Sequence, residues 1–502
     1  MPYVKTFLLA FFFLAHASLS AQETPFEQQT LPALWELKEL VSMPNSGLSP
    51  EDIQKNIDWL STAFQKRGFK TQPLPNKGNP LLLAQKLVDN NLPTILFYMH
   101  LDGQAVDASK WNQPNPYQAV LKKADENGVW QVIPWAEVGE KVDSSWRIFG
   151  RSAADDKGPI TGFLNAMDLL KKEGKQPAFN LKVILDSEEE IGSRYLAETV
   201  AAYEDLLKAD ALIINDGPVH ISGQPTLIYG CRGNMTLTLT VYGPSKPQHS
   251  GHYGNYAPNP NFMMAHLLAS MKDESGRVII DGYYDGIVWD KTAAETMAAV
   301  PDKKADILKL LEIAEPEQVG TNYQEALQFP SLNVRGMASG WVGSQARTIV
   351  PSTTTAAIDI RLVPESDPQR LIGLLKKHIE KQGYHIVSQE PTSEERLKYP
   401  KICYLYSRGA TLPFRTDLNA PTGKWLEKAI KNTYQQDPVK VRIMGGTVPI
   451  SSFINQLNIP AIIVPMVNSD NNQHSPNENF RIDYLTNSIK TFYGILTTVY
   501  KN

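Results

Sequence analysis

Between about Pro25 and Asn234 the chain alternates helical spacing with short apolar runs. The segment DIQKNIDWLSTAFQKRGF, from Asp52 to Phe69, repeats its apolar positions at three and four residues and predicts an amphipathic helix. The runs TILFYMH (94–100), LKVILDS (181–187) and ALIIND (211–216) are apolar almost without interruption, as strands buried on both faces of a parallel sheet must be. Strands alternating with helices predict an α/β layer fold. After about Asn234 the pattern changes. MTLTLTVYG (235–243) and TTTAAIDIRLV (353–363) alternate like half-exposed strands, while NPNFMMAHLLASM and DPQRLIGLLKKHIEKQG carry one apolar stripe each. From about Asp417 the first pattern returns, with the helix APTGKWLEKAIKNTY, a helix start after GGTVPISSFI and the strand IPAIIVPMV. The expected architecture is an α/β catalytic domain with a mostly parallel central sheet flanked by helices, formed by residues 22–234 and 417–502. An inserted α+β lid or dimerisation domain, residues 235–416, interrupts it. A length of 502 residues exceeds one ordinary core and agrees with this division.

The first residues, MPYVKTFLLAFFFLAHASLSAQETP, place Lys5 before an apolar stretch from Phe7 to Ala15 and small residues from Ser18 to Ala21. This reads as a signal peptide, residues 1–21, and predicts an exported protein, periplasmic or secreted, with no membrane anchor in the mature chain. The apolar core is shorter than the roughly 20 residues that span a bilayer. Cys231 and Cys403 are the only cysteines. They are open to one disulfide or to two buried thiols, and they exclude a cysteine-rich zinc site. The net charge of −4, without a basic block, argues against a nucleic-acid partner.

The chemistry lies where the apolar runs end. His100 closes TILFYM, Glu188, Glu189 and Glu190 follow LKVILDS, Asp216 follows ALIIN, and His474 comes after AIIVPMV. The carboxyl edge of an open α/β sheet is where such folds bind ligands. Asp155, in the turn GRSAADDKG before the helical PITGFLNAMDLL, is a fifth member. Buried strand ends are poor places for unpaired carboxylates, and divalent cations would neutralise them. His100, Asp155, Glu190, Asp216 and His474 have the composition of a two-metal site. One carboxylate would bridge ions about 3.5–4 Å apart that share an activated water. Mixed nitrogen and oxygen donors favour zinc, with cobalt or manganese as substitutes. Asp102, two residues along, shares the face of His100 and can orient its ring.

In order, HLD, GRSAADDKG, SEEEIGS, QHSGHYG, DIRLVP, GGTVP and QHSPNE resemble the di-zinc metallopeptidases of the carnosine dipeptidase, carboxypeptidase G and aminoacylase type. The resemblance runs from about Leu31 to the end. It implies that His100, Asp155, Glu190, Asp216 and His474 are the metal ligands, with Asp155 bridging and Asp102 orienting the histidine. It further implies that Glu189 is the general base and that the peptide after Asp155 is cis. His249 matches a lid histidine that steadies the oxyanion, in dimers often from the neighbouring subunit, and Arg361 and Thr447 match positions that hold the substrate carboxylate. His252 is expected to be an ordinary lid residue.

Three features depart from the pattern. Ser152 stands where GRG is usual, Asp186 and Ser187 replace Glu-Gly, and a longer stretch from Gln104 to Trp146 carries Trp111, Trp130 and Trp135. They bear on the pocket rather than on the metals. The expected function is hydrolysis of the amide bond of dipeptides or short peptides with a free terminal carboxylate, with a homodimer through the lid. The alternatives are an N-acyl amino acid deacylase with the same metals, and an inactive binding protein that keeps the fold. An intact base at Glu189 speaks against the last.

Overall fold

The computed structural model describes residues 24–139 and 142–501. The expected signal peptide lies outside the described residues.

An eight-stranded sheet forms the centre of the catalytic domain. Its order is Lys70–Leu74, Leu81–Lys86, Asn180–Asp186, Thr94–His100, Ala211–Ile214, Ala461–Ile463, Thr226–Ile228 and Val439–Val441. The middle four strands, from Asn180–Asp186 to Ala461–Ile463, are parallel neighbours, so their carboxyl ends share one edge. The flanks turn antiparallel, at Leu81–Lys86 against Asn180–Asp186 and at Thr226–Ile228 against Ala461–Ile463. The unbroken apolar runs have a direct cause. Along Thr94–His100, Ile95, Phe97 and Met99 enter one core cluster, and Leu96 and Tyr98 enter the other. Each such side chain contributes about 1.5–3 kcal/mol when fully buried. Helices Pro25–Val41, Lys157–Lys172 and Ile482–Thr497 pack together over one face, and Leu196–Ala202 with Ser451–Leu457 cover the other.

The lid has a five-stranded sheet in the order Asn333–Ala338, Thr353–Leu362, Gly233–Tyr242, Ile402–Thr411 and His385–Val387. Burial alternates residue by residue along Gly233–Tyr242 and Thr353–Leu362. Their inward side chains pack with helices Pro260–Ala269 and Pro368–Lys381. Not all of the inserted sequence stays with this sheet. Helix Lys291–Ala299 packs on the edge strand Val439–Val441, and Val300 joins the catalytic core. Nothing in the short apolar spacing of KTAAETMAA distinguishes one sheet from the other as its partner.

The stretch from Gln104 to Trp146 gives two strands, Val120–Ala124 and Trp130–Ile133, of a four-stranded sheet ordered Asn479–Arg481, Arg147–Phe149, Val120–Ala124 and Trp130–Ile133. Leu121, Ile133, Ile148 and Phe480 face the main core. Cys231 and Cys403 are free and buried in separate clusters. Among the described residues no helix is long and apolar enough to cross a membrane.

Candidate metal centre and active site

The shared edge of the parallel strands delivers the site. His100 is the last residue of its strand, Glu189 and Glu190 open a single 3-10 turn after Asn180–Asp186, and Asp216 follows Ala211–Ile214 by two residues. His474 arrives on the loop beyond Ala461–Ile463, in the left-handed region with φ 60°. Asp155 sits just before helix Lys157–Lys172, and its bond to Asp156 is cis.

These residues converge as two overlapping groups. Ligand atoms of His100, Asp155 and Asp216 lie within 4.8 Å of one another, as do those of Asp155, Glu190 and His474. Asp155 belongs to both. One of its oxygens is 2.8 Å from His100 Nε2 and the other 3.1 Å from His474 Nε2. His474 Nε2 is also 3.1 Å from Glu190 Oε2. Two imidazoles and three carboxylates with one shared member fit a pair of divalent cations, each with nitrogen and oxygen donors.

The electrostatics of the bare cluster support that fit. Burial pushes Asp216 up to about 6, with Asp155 and Glu190 adding repulsion, and it pushes Glu189 well above the usual carboxylate range. Hydrogen bonds to Asp155 and Glu190 push His474 up to about 10. Burial would also raise Asp155, but hydrogen bonds from His100 and His474 outweigh it and hold its carboxyl low. The cluster thus draws positive charge, as protons when nothing else is bound.

Supporting residues hold three of the five expected ligands, His100, Asp155 and Glu190. Asp102, fully buried, stands 3.4 Å from His100 Nδ1 through Oδ1 and accepts the backbone N–H groups of Glu189 and Glu190 at 3.1 Å each. It therefore ties two strand ends together as well as facing the imidazole. The backbone N–H of His100 donates to Asp156 at 3.2 Å. Like Asp156, two further supports carry no mark of that role in the sequence. Gln104 Nε2 donates to Glu190 Oε2 at 2.9 Å, and Glu478 accepts from the backbone of Ser152, Ala154 and Asp155 at 3.0 Å each and from Arg151 at 2.7 Å. Glu478 closes QHSPNE and Gln104 lies two residues past Asp102, so proximity to the motifs was the available signal.

The lid residues stand differently. Arg361 Nη1 donates to Thr447 Oγ1 at 2.8 Å, which brings the expected carboxylate-holding pair together across the two domains. Thr447 in turn donates to the Arg232 carbonyl at 2.7 Å. His249 is exposed and outside the cluster. Its Nδ1 accepts from the Gly251 N–H at 3.0 Å, and its ring lies 4.8 Å from that of His252. The departures at 186 and 187 serve the scaffold: Asp186 takes hydrogen bonds from Tyr98 and Ser193, and Ser187 donates to the Pro80 carbonyl.

The profile of peptidase family M20/M25/M40 matches residues 96–498. The chain belongs to this family. It is 27% identical over 481 residues to a Cys-Gly metallodipeptidase of Schizosaccharomyces pombe, covering 91% of this chain and 93% of that one. It is 26% identical over 425 residues to the Beta-Ala-His dipeptidase of Mus musculus, covering 83% and 78%. An M20 family metallo-carboxypeptidase from Sulfolobus solfataricus superimposes with a TM-score of 0.75 at 27% identity, covering 93% of this chain and 99% of that one. The chain is accordingly an M20-type peptidase, a hydrolase, with the catalytic and lid folds of that family.

Proposed function

We propose that this peptidase hydrolyses the amide bond of dipeptides or short peptides that carry a free C-terminal carboxylate. The observation that carries the reading is the pair of ligand groups sharing Asp155, with Glu189 beside them. Relatives named for Cys-Gly and Beta-Ala-His dipeptides support the substrate class. His100 and Asp216 would hold one divalent ion and Glu190 and His474 the other, with Asp155 between them. The donor set favours zinc. When bound, the ions supply Lewis-acid polarisation of the carbonyl and activation of the attacking water.

The chain's own groups do the rest. Glu189 takes the proton from the attacking water and passes it to the departing amine, one carboxylate serving first as base and then as acid. Arg361 and Thr447 hold the terminal carboxylate, and a charge-assisted hydrogen bond from the guanidinium fixes the peptide's direction. His249 donates to the carbonyl oxygen as negative charge develops there.

His249 is exposed and belongs to neither ligand group, so lid movement or a second chain would bring it to the carbonyl. A homodimer through the lid would supply the latter. The edge strand Asn333–Ala338 favours such contact, being paired on one side only and exposing Met337 at 57%. Export through residues 1–21 completes the proposal, resting on Lys5 and the apolar stretch from Phe7 to Ala15.

A screen of dipeptides against N-acyl amino acids, with zinc, cobalt or manganese added to metal-stripped protein, tests the reading. Cleavage of free dipeptides that ceases with a strong chelator and returns with metal is the expected result. Preference for N-acyl amino acids would move the protein to the deacylases, and activity indifferent to chelation would remove the mechanism.

A further inference from the structure

The four-stranded sheet has a second face that the metal chemistry does not use. Leu121, Ile133 and Ile148 turn inward, so the alternate residues Lys122, Val132 and Arg147 point the other way, directly opposite one another across the strands. They line a cavity of about 590 Å³ together with Trp130 and Phe149. That volume suits a small ligand. Its far wall is the loop that carries His474, through Asp470, Asn472 and Asn477, and Asn479 joins from the edge strand of the same sheet.

Lys122 makes this cavity unusual. The residue is only 4% exposed, yet among the described residues its ammonium has no carboxylate or carbonyl partner and rests 4.4 Å over the Phe149 ring. Burial of the side chain strips the ammonium of part of its water and lowers its pKa, and one aromatic face offsets only part of that cost. Arg147 stacks 5.1 Å from Trp130, and its Nε is buried without a partner. The acid within the cavity, Asp470, is already engaged by Arg147 Nη2 at 2.7 Å. The positive charge of Lys122 is therefore unanswered, while Val129 and Val132 expose apolar surface beside it.

We propose that this cavity binds a small organic carboxylate with an apolar body, its carboxylate on Lys122 and its body against Trp130 and Val132. The site is separate from the catalytic one but borders the loop that carries His474. Asn477 Oδ1 accepts from the Asn112 N–H at 2.7 Å, and Arg147 also donates to Asn479 at 2.9 Å. An occupant is thus in contact with the segment that positions His474. The inference does not depend on which peptide the enzyme cleaves.

The test is thermal unfolding of metal-loaded protein with propionate, and with propionamide as the neutral match. Propionate should raise the Tm of the wild type and of Arg361→Met alike, and propionamide should not. Lys122→Met, which keeps the length and the contact with Phe149, should lose the propionate shift and unfold no earlier than the wild type without ligand. Lys122→Gln serves if the first variant folds poorly, with propionate affinity at least tenfold weaker. An equal propionate shift in either Lys122 variant, or none in the wild type, overturns the proposal. In protein carrying both Glu189→Gln and Arg361→Met, which slows turnover and removes the catalytic carboxylate holder, a response to L-valine or to N-acetyl-L-valine that Lys122→Met abolishes then distinguishes a free amino acid from a peptide end as the source of the carboxylate.

Discussion

The metal cluster and the lid residues are built in opposite ways. Apart from the exposed His474, the expected ligands are buried or half-buried at or just beyond a strand end or before a helix start, and backbone N–H groups of His100, Asp155, Glu189 and Glu190 are clamped by Asp156, Glu478 and Asp102. His249 lies on a two-residue strand, exposed, with its ring nitrogen held only by its own turn. Arg361 is intermediate, anchored in a long lid strand while its side chain reaches across to Thr447. The difference separates two tasks. Rigid elements fix geometry where cations and a reacting water need tolerances of tenths of an ångström, whereas groups that meet the substrate last can be delivered by a body that moves.

The largest expected effect tests the rigid half. Glu189→Gln removes the proton carrier without changing shape, so kcat should fall by about 10³-fold, within the range for general acid–base groups. Metal content, measured by elemental analysis, and Tm should stay near wild type, because Glu189 is outside both ligand groups. Retained turnover would show that another group moves the proton.

His249→Ala tests the lid half. Losing an oxyanion donor costs about 10²–10³-fold in kcat. Metal content should not change, since His249 belongs to neither ligand group, and a drop in bound metal would show that the lid histidine and the cluster are not independent. Mixing this variant with Glu189→Gln should recover part of the activity if the histidine serves the neighbouring subunit, because one site of each mixed dimer then has both groups. No recovery would place the histidine in its own chain's site.

Much of this division was legible in the chain. Strand ends announce themselves because a strand buried on both faces must be apolar to its last turn, so His100 and Asp216 stand out against Ile, Leu and Phe. The lid strands were legible for the complementary reason, their single buried face imposing strict alternation. The supports were harder to see. Asp156 and Glu478 act through backbone N–H groups, a partner that has no letter in the sequence. The path of Lys291–Val300 back to the catalytic sheet was equally hidden, since a short helix records how many faces it buries but not against what.

A smaller effect is expected at Gln104, which is half-buried and bonds a ligand oxygen of Glu190. Partners of metal ligands typically change metal affinity or activity about 10–100-fold. Gln104→Leu should fall near the lower end, because Glu190 is also held through its own backbone N–H by Asp102. Titration of stripped protein with zinc would measure it, and an unchanged affinity would leave Asp102 as the sufficient support.

The smallest effect concerns the departure at Ser152, whose φ of 63° lies in the left-handed region that favours glycine. Its hydroxyl accepts from Asn45 Nδ2 at 3.0 Å and occupies the space a Cβ on Gly103 would need. Gly103, between Asp102 and Gln104, is therefore small because Ser152 is not. Gly103→Ala alone should destabilise by about 1–3 kcal/mol through overpacking. Ser152→Gly alone should come within about 1 kcal/mol of wild type, the relieved backbone offsetting a lost buried hydrogen bond. With both changes the methyl enters the vacated space, and denaturant unfolding should show most of the Gly103→Ala loss recovered. Simple additivity would mean that the two positions do not share that space. Coupling would show that the rigid half of the site tolerates exchange of side chains between neighbouring motifs, provided the volume behind Asp102 stays filled.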